Sequence, residues 1–229
     1  MNPQPGPNAY YDSGYVVREV SQNRHRELIG GMWDEVGRLQ FDFLRARGLM
    51  PASKFIDIGC GCLRGGIYFI AFLDPGNYYG IDISKELLDA GYEIELQGRG
   101  LRNRLPRSNL VADGEFRFEK FAATFDMGVA QSLFSHLPAD HSRLCLSRLA
   151  PRMAPDGKLF ATFFLVPEKH PVGVPFDHPH GVRTFDNRDP YHYRFTQVER
   201  LCEGLPWRPT LIGEWQHPRD QQMVLFQRS

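Results

Sequence analysis

The feature that most constrains this chain is a change of apolar period near residue 54. From about Ser21 to Arg47, Leu28, Met32, Val36, Leu39 and Phe43 recur at steps of three and four, which predicts one amphipathic helix ended by Gly48, with Pro51 beyond it. Lys54–Ile58 is then a short apolar run ending in glycines. It is followed by an apolar segment, Ile67–Leu73, and by a second strand-like run, Asn77–Ile81, leading to Asp82. Strand, tight turn, helix and strand make a βαβ unit.

The alternation continues. Ser84 is placed to cap a helix whose apolar face carries Leu87, Leu88, Gly91 and Ile94, and Gly98 and Gly100 close it. After a charged loop containing Asn and Pro, a weak strand is expected near Phe116–Phe118 and a clearer one at Met127–Gln131. A helix with Cys145, Leu146, Leu149 and Met153 on one face comes next, then a Pro155-Asp156-Gly157 turn into the most regular strand, Lys158–Leu165. Thr210–Trp215 and Met223–Gln227 are joined by a turn at Pro218-Arg219-Asp220 that is too short for a crossover helix, so they should pair antiparallel. The expected fold is α/β: a doubly wound, mostly parallel sheet with helices on both faces and a C-terminal antiparallel hairpin.

Composition narrows the partners. Lys plus Arg and Asp plus Glu are equal at 27 each, so no global field favours a nucleic-acid backbone or a membrane surface. No segment approaches a membrane span, and the first residues lack a secretory signal, so a cytoplasmic protein is expected. All four cysteines are read as reduced. Cys60 and Cys62 lack the spacing and the second pair of a zinc knuckle. Met1–Ser13 reads as a mobile arm whose Tyr10 and Tyr11, with Tyr15 just beyond, could fold back over a site.

In a doubly wound sheet, ligands bind at the carboxyl ends of strands where the strand order reverses. That points to Asp57-Ile58-Gly59-Cys60-Gly61-Cys62-Leu63-Arg64-Gly65-Gly66, where glycines permit a tight turn and the helix start offers free N–H groups. Asp82 follows Gly59 by 23 residues, at the end of the second strand, where a carboxylate can take both ribose hydroxyls. A nicotinamide dinucleotide site has the same outline, but its G-x-G-x-x-G pattern would need glycine where Arg64 stands. A third reading, a non-catalytic scaffold that keeps only the fold, stays open at this stage.

The chain from about Lys54 to Gln227 resembles the class I S-adenosylmethionine-dependent methyltransferases. FIDIGCGCLRGG looks like their first motif, YYGID their second, FDMGVAQSLFSHL their fourth and LAPRMAPDGKLFATFF their sixth. The resemblance implies a Rossmann-like seven-stranded sheet and S-adenosylmethionine as cofactor. It implies that Asp57, Gly59, Cys60 and Gly61 hold the methionine end, that Asp82 and Ile83 hold the nucleoside, and that Gln131 lies beside the methionine moiety. Glu119, before the fourth strand, is the candidate adenine contact, with Lys120 and Phe121. Leu63 stands where the family's third glycine usually falls, and Gly65 or Gly66 is expected to take over that glycine's role.

Methyl transfer is an in-line displacement, so a protein mainly has to align donor and acceptor, and a general base helps when the nucleophile is a hydroxyl. His136, one turn beyond the fourth strand, is one candidate base. Residues 167–195 form a connection too long for an ordinary strand-to-helix link, rich in histidines, acids and tyrosines, and they supply His178, His180 and His192 as further candidates. Asp177, His178 and His180 could in principle bind a metal, but none is expected. Trp215, His217 and Arg219 are read first as a packed tryptophan and a turn. Polar groups among aromatics suit a small hydroxylated acceptor, a sugar or natural product, rather than a nucleic acid. Residues 1–50 are thus read as an arm and helix packed on a methyltransferase domain of 51–229 with an insertion at about 167–195. Acceptor identity and oligomeric state are not set by these residues.

Overall fold

The computed structural model describes residues 12–229, so the expectation for Tyr10 and Tyr11 lies outside the described residues. Three helices lead in: α1 (Ser13–Ser21), α2 (His25–Leu28) and α3 (Trp33–Arg45). The single long helix expected here is broken because Asn23, Gly30, Gly31 and Met32 all have positive φ (+57°, +91°, +62° and +45°), which no continuous right-handed helix accommodates. Gly48 stops α3 as expected, with φ +96°.

The core alternates β1 (Phe55–Ile58), α4 (Gly66–Phe72), β2 (Tyr78–Asp82), α5 (Lys85–Ala90), β3 (Leu110–Ala112), β4 (Phe125–Ala130), α6 (Ala139–Leu149) and β5 (Met153–Leu165). Ser84 caps α5 by accepting the Leu87 N–H at 3.1 Å, and the helix runs on as a π-helical turn, Gly91–Leu96. The insertion contributes β6 (Phe176–Asp177) and β7 (Arg183–Thr184), an antiparallel pair, and β8 (His192–Tyr193), which adds to the end of β5. Helix α7 (Phe195–Leu201) and the hairpin β9 (Trp207–Gly213) and β10 (Gln222–Arg228) complete the chain.

The sheet order is β3-β2-β1-β4-β5-β10-β9, seven strands with β8 as a short eighth on β5. Strands β1 to β5 pair in parallel, and β10 pairs antiparallel with both β5 and β9. Successive side chains of β1 point to opposite faces, so Phe55 joins an apolar cluster with Phe69 of α4 and Leu87 of α5, while Ile56 and Ile58 join one with Leu146 of α6 and Val198 of α7. This is the doubly wound, seven-stranded Rossmann-like arrangement read from the sequence.

Two details of that reading change. The third strand is Leu110–Ala112, not Phe116–Phe118. Phe116 has φ +54° and turns the chain, and a three-residue run between Asn109 and Asp113 is too short to stand out by pattern. The Pro155-Asp156-Gly157 turn is an irregularity inside β5: its pairing with β4 shifts between Phe125 and Met127.

The third glycine of the turn after β1 is not replaced by Gly65 or Gly66. Leu63 itself takes the left-handed backbone, φ +70°, fully buried. Space for its side chain comes from Gly66 and Gly91, where an added Cβ would meet Leu63 atoms at 2.9 and 2.8 Å. A left-handed non-glycine residue costs about 1–2 kcal/mol, and a buried leucine contributes more than that. Leu63→Ala and Leu63→Gly should therefore both destabilise the protein. Glycine should be the milder by about 1 kcal/mol, reversing the usual order of the two residues. Urea unfolding of both variants measures this, and an alanine variant at least as stable as the glycine one would remove the strain argument.

Candidate active site

The turn after β1 is fastened to the end of β2. The N–H groups of Gly59 and Cys60 both reach Ile81 O, at 2.8 and 3.3 Å, and the Gly61 N–H is donated to Asp82 Oδ2 at 2.8 Å. Gly59 and Gly61 have φ of +73° and +52°, which is why glycine is needed there. The Ser84 N–H goes to the other Asp82 oxygen at 2.9 Å. Each carboxylate oxygen keeps a further lone pair, so Asp82 can accept two more donors. Burial pushes its pKa up, against the opposing N–H donors of Ser84 and Gly61.

Asp57 is buried near the end of β1, and the Tyr78 hydroxyl donates to its Oδ2 at 2.8 Å. Burial pushes its pKa up to about 7, with the Tyr78 hydrogen bond opposing, Asp82 adding and Arg64 opposing. The thiols of Cys60 and Cys62 are buried and raised chiefly by desolvation, which leaves them protonated and inert.

A cavity of about 360 Å³ opens at these carboxyl ends. Asp57, Gly59, Cys60, Gly61, Asp82, Ile83 and Gln131, all named from the sequence, line it. Ile83 is apolar and 39 % exposed there, a surface that a flat ring could cover. Glu119 does not line it. Because β3 ends at Ala112, the next wall is Asp113-Gly114, with Phe116, whereas Glu119 sits exposed on a single 3₁₀ turn beyond. Asp113 is buried, and although desolvation opposes it, Lys120, backbone N–H groups and the Arg117 guanidinium at 2.7 Å hold its carboxyl low. Asp113 was missed because its strand was missed.

Of the four candidate histidines, only His136 lines the cavity. Its Nδ1 is 2.6 Å from Asp189 Oδ1, so the insertion supplies the carboxylate that orients it. His178 and His192 instead flank Thr184: Thr184 Oγ1 is 3.0 Å from His178 Nε2 and 2.9 Å from His192 Nδ1, and all three residues are buried. Burial lowers the pKa of His178 to about 4 and lowers that of His192. His180 is exposed and bonds Asp220 through Nδ1 at 2.7 Å. The three groups considered for a metal thus go separate ways: Asp177 to Arg183, His178 to Thr184 and His180 to Asp220.

His217 and Arg219, read from sequence first as a turn, do reach the cavity wall, while Trp215 packs behind with its indole N–H on Gln221 O at 2.8 Å. The opposite wall comes from the lead-in helices, with Leu28, Ile29, Met32 and Val36. Arg64 donates to the Ile29 and Gly31 carbonyls at 3.2 and 3.0 Å, and Arg219 to the Gly30 carbonyl at 2.8 Å.

The raised Asp57 carboxyl has a measurable consequence. Between the ordinary carboxylate value near 4 and its folded value of about 7, the native state holds a proton that the unfolded chain has lost. Stability therefore falls as pH rises through that window. Asp57→Asn, which can still accept from Tyr78, should raise the melting temperature of the ligand-free protein at pH 8 and change it little at pH 4.5. An equal shift at both values would contradict the assignment.

Residues 56–159 match the family model of a methyltransferase domain. The fold is similar to magnesium protoporphyrin IX methyltransferase from Synechocystis PCC 6803 solved with bound S-adenosylmethionine, at 16% identity and TM-score 0.63, covering 100% of both chains. It is also similar to CalS10, an amino pentose methyltransferase from Micromonospora echinaspora, at 16% identity and TM-score 0.61, covering 93% of this chain and 97% of that one. The matched stretch, the strand order and the acid-and-glycine turn facing Asp82 identify residues 56–159 as a methyltransferase domain of the class I S-adenosylmethionine-dependent fold.

Proposed function

We propose that the protein transfers the methyl group to a hydroxyl of a small acceptor, a sugar or natural product, and that His136 is the general base. The observation that carries this reading is the His136–Asp189 pair on the cavity wall, 2.6 Å apart, beyond the carboxyl end of β4. The neutral charge balance favours a small molecule over a nucleic acid, and the acceptors named for the similar structures, a porphyrin and an amino pentose, are small molecules too.

When bound, S-adenosylmethionine supplies a methyl carbon activated by its sulfonium. Asp82 accepts the ribose hydroxyls with the lone pairs that Gly61 and Ser84 leave, and the backbone of Gly59, Cys60 and Gly61, with the Asp57 carboxyl, holds the amino-acid end. Ile83 would cover the adenine, and Asp113-Gly114, which line the cavity, would take the edge role expected for Glu119. Asp189 fixes the proton of His136 on Nδ1, which leaves Nε2 as the nitrogen that would take the acceptor's hydroxyl proton as that oxygen gains the methyl. His178 and His192 hold the insertion together instead of serving as bases. Residues 51–229 are the catalytic domain in this reading, with residues 1–50 as an arm and helix before it, and of these Leu28, Ile29, Met32 and Val36 contribute the wall that completes the cavity.

Calorimetric titration of S-adenosylhomocysteine should give micromolar binding that Asp82→Ala abolishes, and a folded protein that does not bind would sink the reading. A screen of hydroxylated compounds by S-adenosylhomocysteine release then identifies an acceptor. With it, His136→Gln should lower kcat by about 10²–10⁴-fold while the affinity for S-adenosylhomocysteine stays within a few-fold. Asp189→Asn should lower kcat less. An unchanged kcat in His136→Gln would assign the base elsewhere or remove the need for one.

A further inference from the structure

Gln131 is 8 % exposed, lines the cavity, and its Oε1 has no hydrogen-bond partner in the protein. A buried acceptor left unmade is expensive, so one that lines a ligand cavity is a place where a ligand's donor belongs.

Its neighbours decide which way the amide faces. The Thr162 hydroxyl donates to Gln221 Oε1 at 2.6 Å and the Ser132 hydroxyl to the same oxygen at 3.0 Å. Ser132 Oγ has thereby spent its only proton, so it accepts from Gln131, whose Nε2 is 2.8 Å away. The second amide hydrogen points to His217 Nε2 at 3.0 Å. This places the ring proton on Nδ1 and gives up the longer 3.2 Å approach of the Arg219 N–H to that atom. Burial, with Arg64 and Arg219 adding to it, lowers the His217 pKa to about 4, so the ring is neutral and able to accept. Both amide hydrogens are used on protein, and the oxygen is turned to the cavity.

Its place in the sheet says which ligand it meets. The groups assigned to the cofactor, Asp57, Gly59, Gly61, Asp82 and Asp113, stand on or just after β1, β2 and β3. Those that hold Gln131, namely Ser132, Thr162, His217 and Gln221, belong to the β4, β5 and β10 half. Gln131 is at the boundary: β4 pairs with β1 at Asp57 and Val129, and Leu133 comes within 3.1 Å of where Gly59 would carry a Cβ. The sequence places Gln131 beside the methionine moiety of the cofactor, and its hydrogen-bond partners, Ser132 and His217, lie on the other half of the sheet.

We propose that Gln131 Oε1 receives a hydrogen-bond donor presented by the acceptor beside the transferring methyl, and that His217 is the positioning residue that keeps the oxygen turned that way. Since His136 takes the proton of the reacting hydroxyl, Gln131 reads a second donor next to it. The substrate class is then a vicinal diol or amino alcohol. This rests on the methyltransferase site described above.

Sinefungin tests it without a known acceptor, because an amine-bearing carbon replaces the methylated sulfur and sets donors at the transfer point. Calorimetry of S-adenosylhomocysteine and sinefungin gives a ratio of dissociation constants for each variant. In the wild type the ratio should favour sinefungin. Gln131→Leu should weaken sinefungin at least tenfold and S-adenosylhomocysteine less than threefold. Gln131→Glu, which keeps an acceptor oxygen, should retain the preference, and His217→Phe should lose most of it, an effect that general loosening would not confine to one ligand. Equal weakening of both ligands would assign Gln131 to the methionine end and overturn the proposal, as would no change in either. Failure of the wild type to bind S-adenosylhomocysteine would instead strike the cofactor reading.

Discussion

Everything at the site depends on one clamp: backbone N–H groups of the turn after β1 are donated to the end of β2. Gly59 and Cys60 share the Ile81 carbonyl, and Gly61 takes Asp82. Parallel pairing of β1 with both β2 and β4 brings three carboxyl ends together, but only this clamp converts adjacent strand ends into a floor of fixed shape. Asp82 is thereby oriented before any ligand arrives, and the desolvation it suffers is met by N–H donors that no side-chain substitution can remove. The left-handed Leu63 belongs to the same device. The turn must reverse there, and in a position where glycine would be unstrained this chain accepts strain to gain a buried side chain.

The floor was legible in the sequence because it depends on backbone conformation, and glycines and acids at fixed offsets record backbone conformation directly. Asp57, Gly59, Gly61 and Asp82 fall where their spacing put them. The wall around His136 was not legible. His178 and His192 look like chemistry in a linear reading, yet one threonine hydroxyl between two neutral imidazoles absorbs both into a packed insert. Asp189, which carried no motif, is the residue that meets His136, 53 positions earlier in the chain. Such pairings are set by how irregular segments cross, and periodicity says nothing about crossings. Glu119 and Asp113 show a third kind of miss. A three-residue strand displaced the expected edge by a few positions, which was enough to exchange an exposed acid for a buried one.

The lead-in helices are held by charge as well as by apolar packing. Glu95, almost fully buried on the π-helical turn, takes a bidentate bond from Arg26 at 2.7 Å, a contact from His25 at 2.8 Å and another from Arg99 at 2.6 Å. Desolvation alone would raise this carboxyl, and the surrounding Arg26, His25 and Arg99 bring it down to about 2. The widened turn has a use here: it presents Glu95 toward α2, so the segment carrying Leu28 and Ile29 is anchored beside the cavity it walls.

The bond from Arg219 to the Gly30 carbonyl joins positions 189 residues apart. During synthesis on a ribosome the α2–α3 turn emerges early and has to wait for the final hairpin before its carbonyl finds that guanidinium. The floor of the cavity can assemble from contiguous βα units while translation proceeds, but the wall that Arg219 fastens closes only after residue 219 has emerged. Binding competence is therefore a late property of this fold in time, although the floor of its cavity is written between Asp57 and Ile83.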